Sequence, residues 1–506
     1  MLFRSVWGAD YQSTLQSELN NGTAILDANN LARDYADRNR LDGSSQAFAD
    51  LKNTIININN WDHVANVRGA PATGGAALWQ RSRMYHNEIQ YDLTSLTKKY
   101  VDVLVGADAR VFEVLPDGNN FVDFTRPINE RNKPGGNNVF YSKVGGFAQF
   151  TKKIYKDKLK FVGSLRYDKN FEFEGRWNPR FAIVYSPVEQ HNFRISVQNG
   201  YRFPSLFEAL SYVNNGNVRR VGGLQGVNEG LGYLENSYTL NSVNAYTSAV
   251  NTDVANGINR TQAGLARQNI LQQTALRSTQ PEEIKSLEFG YKSVMFKNSF
   301  VIDLDLYLNQ YTGFLGQVEV AVPSSGLAGT NEASLDMLTR ANQTRYRVYT
   351  NARNIYYNYG SGLRLSYHFP SKWNISGNFN YNALVSNKSQ DIFITGFNTP
   401  KYAGNISVGN REIARNLGFN VVAKWQDSFL WESPLANGTV PSFWTLDAQA
   451  TYKIPKYFAS IKVGASNLLN NRYIQYAAGP TIGALYYVSI TFDGLFSDLG
   501  NKKNKP

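Results

Sequence analysis

The 506-residue chain contains no cysteine. Structural disulfides, thiolate metal sites and cysteine nucleophiles are therefore excluded, and the redox compartment stays open. The sequence also has no run of about 18 consecutive apolar residues, the length that a membrane-spanning helix requires. The amino end, MLFRSVWGADYQ, lacks the apolar core of a signal peptide. These absences exclude a helical membrane protein and leave either a soluble chain or part of a longer precursor.

Charge of one sign is not concentrated anywhere. The 52 basic and 40 acidic residues give a formal net charge of +12, but Lys and Arg are scattered through Tyr- and Asn-rich segments. Such scatter indicates a solvated surface and does not favour a nucleic-acid partner. Aromatic residues are abundant at 13%, although hydrophobic residues reach only 42%. The chain is thus aromatic-rich without being strongly hydrophobic.

The main pattern is an alternation of apolar and polar residues. It runs through residues 159–167, 193–197, 300–309, 373–381, 444–452 and 484–492. A period of two predicts strands with unlike faces. Many of these strands extend over about ten residues, the length that a tilted strand needs to cross a bilayer. Aromatic residues recur near both ends of the apolar faces, as Trp373 with Tyr381 and Trp444 with Tyr452, which favours a membrane barrel over a soluble sandwich.

The connections between the strands alternate in length. Short polar turns are predicted at residues 155–157, 186–190, 297–298, 370–372 and 454–456. Longer connections lie between them, and the longest runs from about Arg202 to Glu283. Short turns on one side and long loops on the other are typical of outer-membrane barrels. We expect about fifteen full strands, the first near Met84 to Leu93 and the last ending at Phe492.

Several motifs resemble one family. They are VGGFAQF (144–150), GSLRYD (163–168), WNPRFA (177–182), NGYRFPS (199–205), PE with SLEFGYK (281–282 and 286–292), TPKY (399–402) and GASNLLNNRY (464–473). In this order they resemble the barrel of TonB-dependent outer-membrane receptors. The region from RMYH (83–86) to Asp117 and Gly118 is similar to Bacteroidetes members with a carboxypeptidase-regulatory-like extension.

The resemblance implies a fold and a function. Such receptors have a 22-strand barrel, a plug inside it and an upstream segment that contacts TonB. This chain is therefore expected to be an incomplete all-β, transmembrane, antiparallel up-and-down barrel of about 15–16 strands that lacks the plug and the first strands. The resemblance implies uptake of a siderophore, glycan, peptide or cobalamin across the outer membrane. Expected partners are lipid and lipopolysaccharide, the TonB complex through the missing plug region, and a surface lipoprotein.

Three regions are predicted. Residues 1–83 comprise the end of a barrel strand, at Leu2 to Trp7, and an extracellular insertion with short helices at residues 35–37 and 46–55. Residues 84–493 form the barrel, and residues 494–506 form a polar tail. Loop aromatics are interpreted as loop packing in preference to ligand contacts: Tyr212, Tyr233, Tyr238 and Tyr246. The pair Arg219 and Arg220 is interpreted as solvated or as paired with a plug or a neighbouring loop, with contact to an anionic ligand or to lipopolysaccharide as the alternative.

No catalytic, cofactor or metal site is predicted, and the ligand-binding residues stay unknown. The four histidines, His63, His86, His191 and His368, are not spaced as a zinc site. Gly360 and Gly362 are interpreted as close-packed strand glycines, and Glu282 with Glu283 as a solvated strand entry. Asp303 and Asp305 share one strand face about 7 Å apart. They are interpreted as hydrated lumen lining because no dry pocket is evident to separate their pKa values.

Two other functions remain open at this stage. The first is a plug-free porin or structural barrel of the outer membrane, and the second is a soluble carbohydrate-binding all-β protein. Partition into detergent-extracted outer membranes separates the soluble protein from the other two. A plug and a signal peptide encoded upstream would favour the receptor over the porin.

Overall fold

The computed structural model describes residues 2–56, 81–116, 120–131, 135–214, 218–386, 396–433 and 436–492. Its strands are β1 (Arg81–Asp92), β2 (Asp102–Leu115), β3 (Val139–Ile154), β4 (Leu159–Asn170), β5 (Arg176–Val188), β6 (His191–Arg202), β7 (Tyr212–Asn214), β8 (Arg219–Val221), β9 (Ser237–Thr239), β10 (Gln273–Thr274), β11 (Glu282–Met295), β12 (Phe300–Thr312), β13 (Leu315–Pro323), β14 (Gln343–Asn351), β15 (Tyr356–His368), β16 (Trp373–Ser386), β17 (Tyr402–Ala414), β18 (Leu417–Gln426), β19 (Phe429–Trp431), β20 (Gly438–Val440), β21 (Phe443–Ile454), β22 (Ala459–Ser466) and β23 (Leu485–Phe492).

The helices in the same residues are α1 (Leu2–Asn20), α2 (Ile25–Asp37), α3 (Gln46–Ile55), α4 (Thr94–Thr97), α5 (Leu206–Leu210), α6 (Gln225–Asn228), α7 (Leu240–Ala255), α8 (Arg260–Arg267) and α9 (Asn331–Asp336). Short 3₁₀ turns occupy Gln268–Ile270, Arg340–Asn342 and Pro455–Tyr457. Within the described part of the chain, no helix is long and apolar enough to cross a membrane.

Fifteen strands form one antiparallel sheet. Their order is β1-β2-β3-β4-β5-β6-β11-β12-β15-β16-β17-β18-β21-β22-β23. The predicted number of strands is confirmed, and the first strand lies within three residues of its predicted position. Among the described residues β1 pairs only with β2, and β23 pairs only with β22, so the sheet is not closed.

The two faces of this sheet differ as the alternation predicts. In β12, Asp303, Asp305 and Tyr307 point to one side and Leu304 and Leu306 to the other. We call the first side the polar face, because it carries the ion pairs between strands. The second, the apolar face, leaves large hydrophobic side chains exposed, including Leu306 (43%), Phe379 (46%) and Ile406 (62%).

The predicted turns join strands at one end of the sheet. Tyr155, Lys156 and Asp157 between β3 and β4 have φ values of 56°, 54° and 63°. Residues 296–298 between β11 and β12 make the same left-handed turn. Such φ values are uncommon outside glycine and allow a reversal within four residues. The longest connections lie at the opposite end, which confirms the predicted alternation of lengths for most of the sheet. Two connections depart from it: residues 93–101, which contain α4, lie at the turn end, and residues 171–175 form a short connection at the other end.

The long connections form a folded unit that the sequence did not predict. Residues 203–281 and 313–355, which we call the cap, build a six-stranded sheet in the order β10-β9-β13-β14-β8-β7. Two hydrophobic clusters fill the cap, and the larger one also includes Val114, Tyr141 and Tyr356 of the long strands. The main cores therefore lie in the cap and at its contact with the strand ends.

The prediction of a strand at Leu2 to Trp7 is wrong. This segment begins α1, whose Trp7, Tyr11 and Leu15 follow each other at intervals of four residues. Residues at this spacing share a helical face, and here that face packs against alanines of α2. The six residues of the predicted strand are too few to separate a period of two from a period of 3.6. The helices predicted at residues 35–37 and 46–55 are confirmed as the end of α2 and as α3.

Candidate ligand chamber under the cap

An open cavity of about 700 Å³ lies between the polar face and the cap. We call it the rim chamber. Its lining comes from β2 to β6 and from the chain that enters the cap: Arg110, Phe112, Tyr141, Lys143, Arg166, Asp168, Asn170, Asn178, Tyr201, Arg202, Phe203, Pro204, Ser205, Leu206 and Phe207. Four cationic side chains, one carboxylate and several aromatic rings thus line a volume that suits a small organic molecule.

An arginine bridges two carboxylates in the wall of the chamber. Arg166 donates Nη2 to Asp108 and to Asp168, the latter at 2.6 Å, and its Nε lies 2.7 Å from Asp168. Asp168 lies directly across from Gly145 in the ladder between β3 and β4. A Cβ at Gly145 would collide with the Asp168 carboxylate and the Arg166 guanidinium. Glycine at this position therefore makes room for the bridge.

Residues 203–207, which we call the roof, cover the chamber, and the short helix α5 holds them in place. The Ser205 hydroxyl accepts from the Glu208 amide at 3.2 Å, and the Glu208 carboxylate accepts from the Ser205 amide at 2.7 Å, which is a capping box. Glu208 also accepts from Arg202 at 2.7 Å. Burial alone would raise the pKa of Glu208, but the bonds from Arg202 and Ser205 bring that pKa below its usual value. The carboxylate thus stays charged and ties α5 to the end of β6.

Further contacts fix the roof to the strands. The Tyr141 hydroxyl of β3 donates to the Pro204 carbonyl at 2.7 Å. Phe173, at the end of β4, stacks on Phe203 with the ring centroids 5.8 Å apart. These two contacts attach the roof to the ends of β3 and β4.

Three polar atoms at the chamber lack hydrogen bonds. They are Asn170 Nδ2, Asn178 Oδ1 and the Tyr201 hydroxyl. The Tyr201 hydroxyl lies close to Asp168 and Asn178 but completes a bond to neither. Asn170 is fully buried at 0% exposure. Buried polar atoms without partners are costly, and polar atoms of an occupant would satisfy these groups.

A second cavity of about 530 Å³ lies on the same polar face toward the opposite edge of the sheet, near β16 to β23. Amide side chains dominate its polar lining, among them Asn378, Asn380 and Asn405. Phe443 and Tyr473 stack at its edge with centroids 4.1 Å apart. Its one ion pair joins Lys424 to Asp447 at 2.5 Å. This lining is closer to neutral than that of the rim chamber.

The predicted loop residues pack within the cap. The four loop tyrosines are buried at exposures of 2% or less, which confirms the prediction of loop packing: Tyr212, Tyr233, Tyr238 and Tyr246. Burial raises the pKa of Tyr233 well above its usual value. The Arg220 guanidinium lies 5.6 Å from the centre of the Phe207 ring, and Arg219 lies beside Tyr346. Both arginines therefore contact neighbouring parts of the cap.

The histidines are placed apart. His86 on the polar face accepts from Arg110 at 3.2 Å, and His191 lies 2.9 Å from the Tyr291 hydroxyl. His368 ends β15 and is exposed, while His63 lies outside the described residues, as does the predicted tail at 494–506. Among the residues that the structure describes, no group of three or more metal-binding side chains occurs.

The predicted acidic pairs have structural partners. Asp303 lies 3.9 Å from Lys292 and Asp305 lies 3.8 Å from Arg194, on the polar face as expected. Glu283 pairs with Arg176 at 2.7 Å. Glu282 accepts from the Leu315 amide at 2.9 Å, and its side chain is only 11% exposed. The prediction of a solvated strand entry is therefore wrong for Glu282, because the chain entering the cap covers it.

Of the two glycines in β15, Gly360 is close-packed as predicted, whereas a Cβ at Gly362 would meet only the Asn380 side chain, at 3.4 Å. A Cβ at Gly360 would collide with the Tyr381 carbonyl and the Tyr307 hydroxyl. Such close approach explains a strand glycine without any nucleotide-binding role.

Sequence reasoning missed the rim chamber. Eight of its fifteen lining residues lie in the motifs at 163–168, 177–182 and 199–205, and the motif at 144–150 supplies Gly145 beside the Arg166 bridge. Arg110, Lys143 and Asn170 lie outside the four motifs. These motifs lie on the adjacent strands β3 to β6, and each contributes to the chamber wall or its packing. The signal that could have found the chamber was the clustering of four motifs on consecutive strands.

The profile of the family described as TonB dependent receptor-like, beta-barrel matches residues 3–468. No curated protein matches the chain.

Solved structures are similar in fold. The ferric enterobactin receptor of Pseudomonas aeruginosa is 13% identical with a TM-score of 0.53, over 81% of this chain and 53% of that one. The siderophore receptor PirA of Acinetobacter baumannii is 15% identical with a TM-score of 0.52, over 83% and 56%. The FrpB iron transporter of Neisseria meningitidis is 13% identical with a TM-score of 0.51, over 83% and 57%. The chain spans little more than half the length of these proteins.

Proposed function

The chain belongs to the TonB-dependent receptor-like β-barrel family, and we propose that it acts in the outer membrane as part of a receptor that imports a nutrient. The polar face then lines the lumen, the apolar face meets lipid, and the cap faces the outside. The activity is transport, without a catalytic step.

The exposed apolar face is the observation that carries this proposal. A water-soluble protein rarely exposes an apolar patch of more than a few hundred Å². Here hydrophobic side chains are exposed on strand after strand: Leu306, Leu308, Leu363, Leu365, Phe379, Ile406, Val463, Val488 and Ile490. Lipid contact accounts for these exposed side chains, whereas a soluble carbohydrate-binding protein would leave them in water.

Aromatic side chains border this apolar face. Trp425 and Trp444 lie opposite each other near the cap ends of β18 and β21. Tyr452 follows eight residues after Trp444 on the same face, about 26 Å along the strand at the usual rise. Two aromatic borders at this separation support an apolar band of membrane height.

The rest of the transport apparatus is proposed to lie outside this chain. By resemblance to the family, a plug would fill the lumen and contact TonB, and the remaining strands would separate β1 from β23. Lipopolysaccharide is the proposed neighbour of the outer rim. A surface lipoprotein partner and a Bacteroidetes-type architecture are finer proposals that rest on the sequence resemblance.

The imported nutrient is proposed to be an iron chelate, a glycan, a peptide or cobalamin. The solved proteins of similar fold are named for enterobactin, for siderophores or for iron. Their low identity leaves the choice among these ligand classes to experiment.

Uptake by living cells tests the proposal. Cells that produce the complete gene product should accumulate one of the four nutrient classes, supplied in labelled form, and a gene deletion should abolish the accumulation. Accumulation should also stop when TonB is removed. Uptake that continues without TonB would instead indicate the diffusion porin, and recovery of the protein in the soluble fraction would contradict both functions.

A further inference from the structure

The rim chamber has a local excess of positive charge at two opposed side chains. Arg110 on β2 and Lys143 on β3 are direct partners in the strand ladder and point to the polar face. Like charges opposed in this way destabilise a sheet unless an anion lies between them.

No carboxylate of the described residues neutralises this pair. Arg110 donates to His86, and Lys143 has neither a hydrogen bond nor an ion pair in the described part of the chain. The carboxylates on the neighbouring strands have other partners, and Glu88 lies 3.5 Å from the same His86 that accepts from Arg110. Asp108 and Asp168 bind Arg166, and Glu208 binds Arg202.

A third donor lies in the same cross-strand row. Asn170 on β4 is the ladder partner of Lys143. Its side chain is fully buried beside Tyr141, and its Nδ2 completes no hydrogen bond. Arg110, Lys143 and Asn170 thus offer only donors to an occupant, and oxygen atoms of an anion would accept from all three.

Aromatic rings limit what else the occupant contains. Phe112, Tyr141, Tyr201, Phe203 and Phe207 line the chamber around the cationic pair. Tyr201 and Phe203 pack edge to face with centroids 5.1 Å apart. Such a wall favours a flat apolar group beside the charged one.

From this arrangement we infer that the rim chamber binds a small organic anion, with its charged group at Arg110, Lys143 and Asn170 and a planar apolar part against the aromatic wall. This inference rests on the proposed uptake function and narrows the nutrient to an anionic, ring-bearing class.

Binding of benzoate to the full chain in detergent, measured by calorimetry, tests the inference. Benzamide serves as the neutral probe of the same shape. We expect saturable benzoate binding that is at least about tenfold tighter than benzamide binding, equivalent to about 1.4 kcal/mol. Lys143→Gln and Arg110→Gln should each weaken benzoate binding about tenfold.

Lys462→Gln is the matched control. Lys462 lies on β22, is partly exposed like Lys143, and does not line the chamber. This substitution should leave benzoate binding unchanged. If Arg110→Gln lowers the melting temperature, Lys143→Gln decides the test, because the Lys143 ammonium forms no hydrogen bond or ion pair within the described residues.

Three results would overturn the inference. They are equal affinity for benzoate and benzamide, unchanged binding in Lys143→Gln, or binding of an acidic peptide but not of benzoate, which would assign the cations to a polypeptide segment. Because binding is measured without TonB, its failure is distinct from a failure of transport. Tight benzoate binding with TonB-independent uptake would refute the proposed transport mechanism and leave the anion site standing.

Discussion

At the scale of single residues, space in the chamber wall is set by glycine. Gly145 and Gly146 are adjacent on β3, but their surroundings differ. A Cβ at Gly145 would meet the Asp168 carboxylate and the Arg166 guanidinium, whereas at Gly146 the nearest atom is the Gly106 carbonyl oxygen at 3.5 Å. Of the two positions, therefore, only at Gly145 does the surrounding structure leave no room for a side chain.

We therefore predict that Gly145→Ala disrupts the bridge from Arg166 to Asp108 and Asp168. The displaced charged groups are partly buried, so the free energy of unfolding should fall by about 1–3 kcal/mol. Urea unfolding in detergent measures this change. Gly146→Ala is the control and should leave stability nearly unchanged or slightly raised, because alanine restricts the unfolded chain. Equal effects of the two substitutions would contradict the role given to Gly145.

At the scale of elements, the amino-terminal helices bind loops that are distant in sequence. The Tyr11 hydroxyl of α1 donates to Asn29 of α2 at 2.8 Å and accepts from the Ala478 amide at 2.9 Å. Thr481 donates to Asn30 at 2.8 Å. Since Ala478 and Thr481 lie in the loop before β23, these helices, which precede β1, contact the opposite edge of the sheet.

Tyr11→Phe should loosen this contact. The substitution keeps the ring but removes the acceptor of the Ala478 amide, whose other acceptor is Asn29 at a longer 3.3 Å. A loss of about 1 kcal/mol would make local opening about fivefold more frequent. Hydrogen exchange at Ala478 measures this opening.

Tyr35→Phe on α2 is the matched control, because Tyr35 is 48% exposed. It should leave exchange at Ala478 unchanged. Similar exchange in the two variants would mean that the Tyr11 hydroxyl does not hold the helices to the loop.

At the scale of the whole molecule, the surroundings of the two sheet faces distinguish membrane insertion from a soluble state. Phe379 and Asn380 are neighbours near the middle of β16, and both side chains are exposed. Phe379 belongs to the apolar face and Asn380 to the polar face. Their exposure is similar, so it does not show which side chain faces lipid. In a bilayer, Phe379 would contact lipid and Asn380 would face the lumen.

We predict that arginine is tolerated much less well at Phe379 than at Asn380. Phe379→Arg should cost about 2–4 kcal/mol for folding into bilayers, because the charge would lie near the middle of the lipid. Asn380→Arg should cost less than about 1 kcal/mol, since its side would face a wet lumen. Denaturant titrations of the chain in lipid vesicles compare the two variants. Equal tolerance would contradict a lipid-facing apolar face.

The sequence by itself determined the long strands. The period of two and the turn residues predicted fifteen strands, their polarity and the alternation of short and long connections, because these features depend on local geometry. Asp303 and Asp305 were correctly placed on one strand face for the same reason. The helical spacing at residues 46–55 was also local and was recovered as α3.

Only the tertiary structure decided what the loops form. The cap sheet joins strands such as β8 and β14, which lie more than a hundred residues apart, and no local pattern encodes that pairing. The helix at Leu2 to Trp7 depends on burial against α2, and the coverage of Glu282 depends on the returning chain. The pairing of Arg110 with Lys143 likewise depends on the register of β2 and β3, because that register places two cations that are 33 residues apart in the sequence directly across from each other.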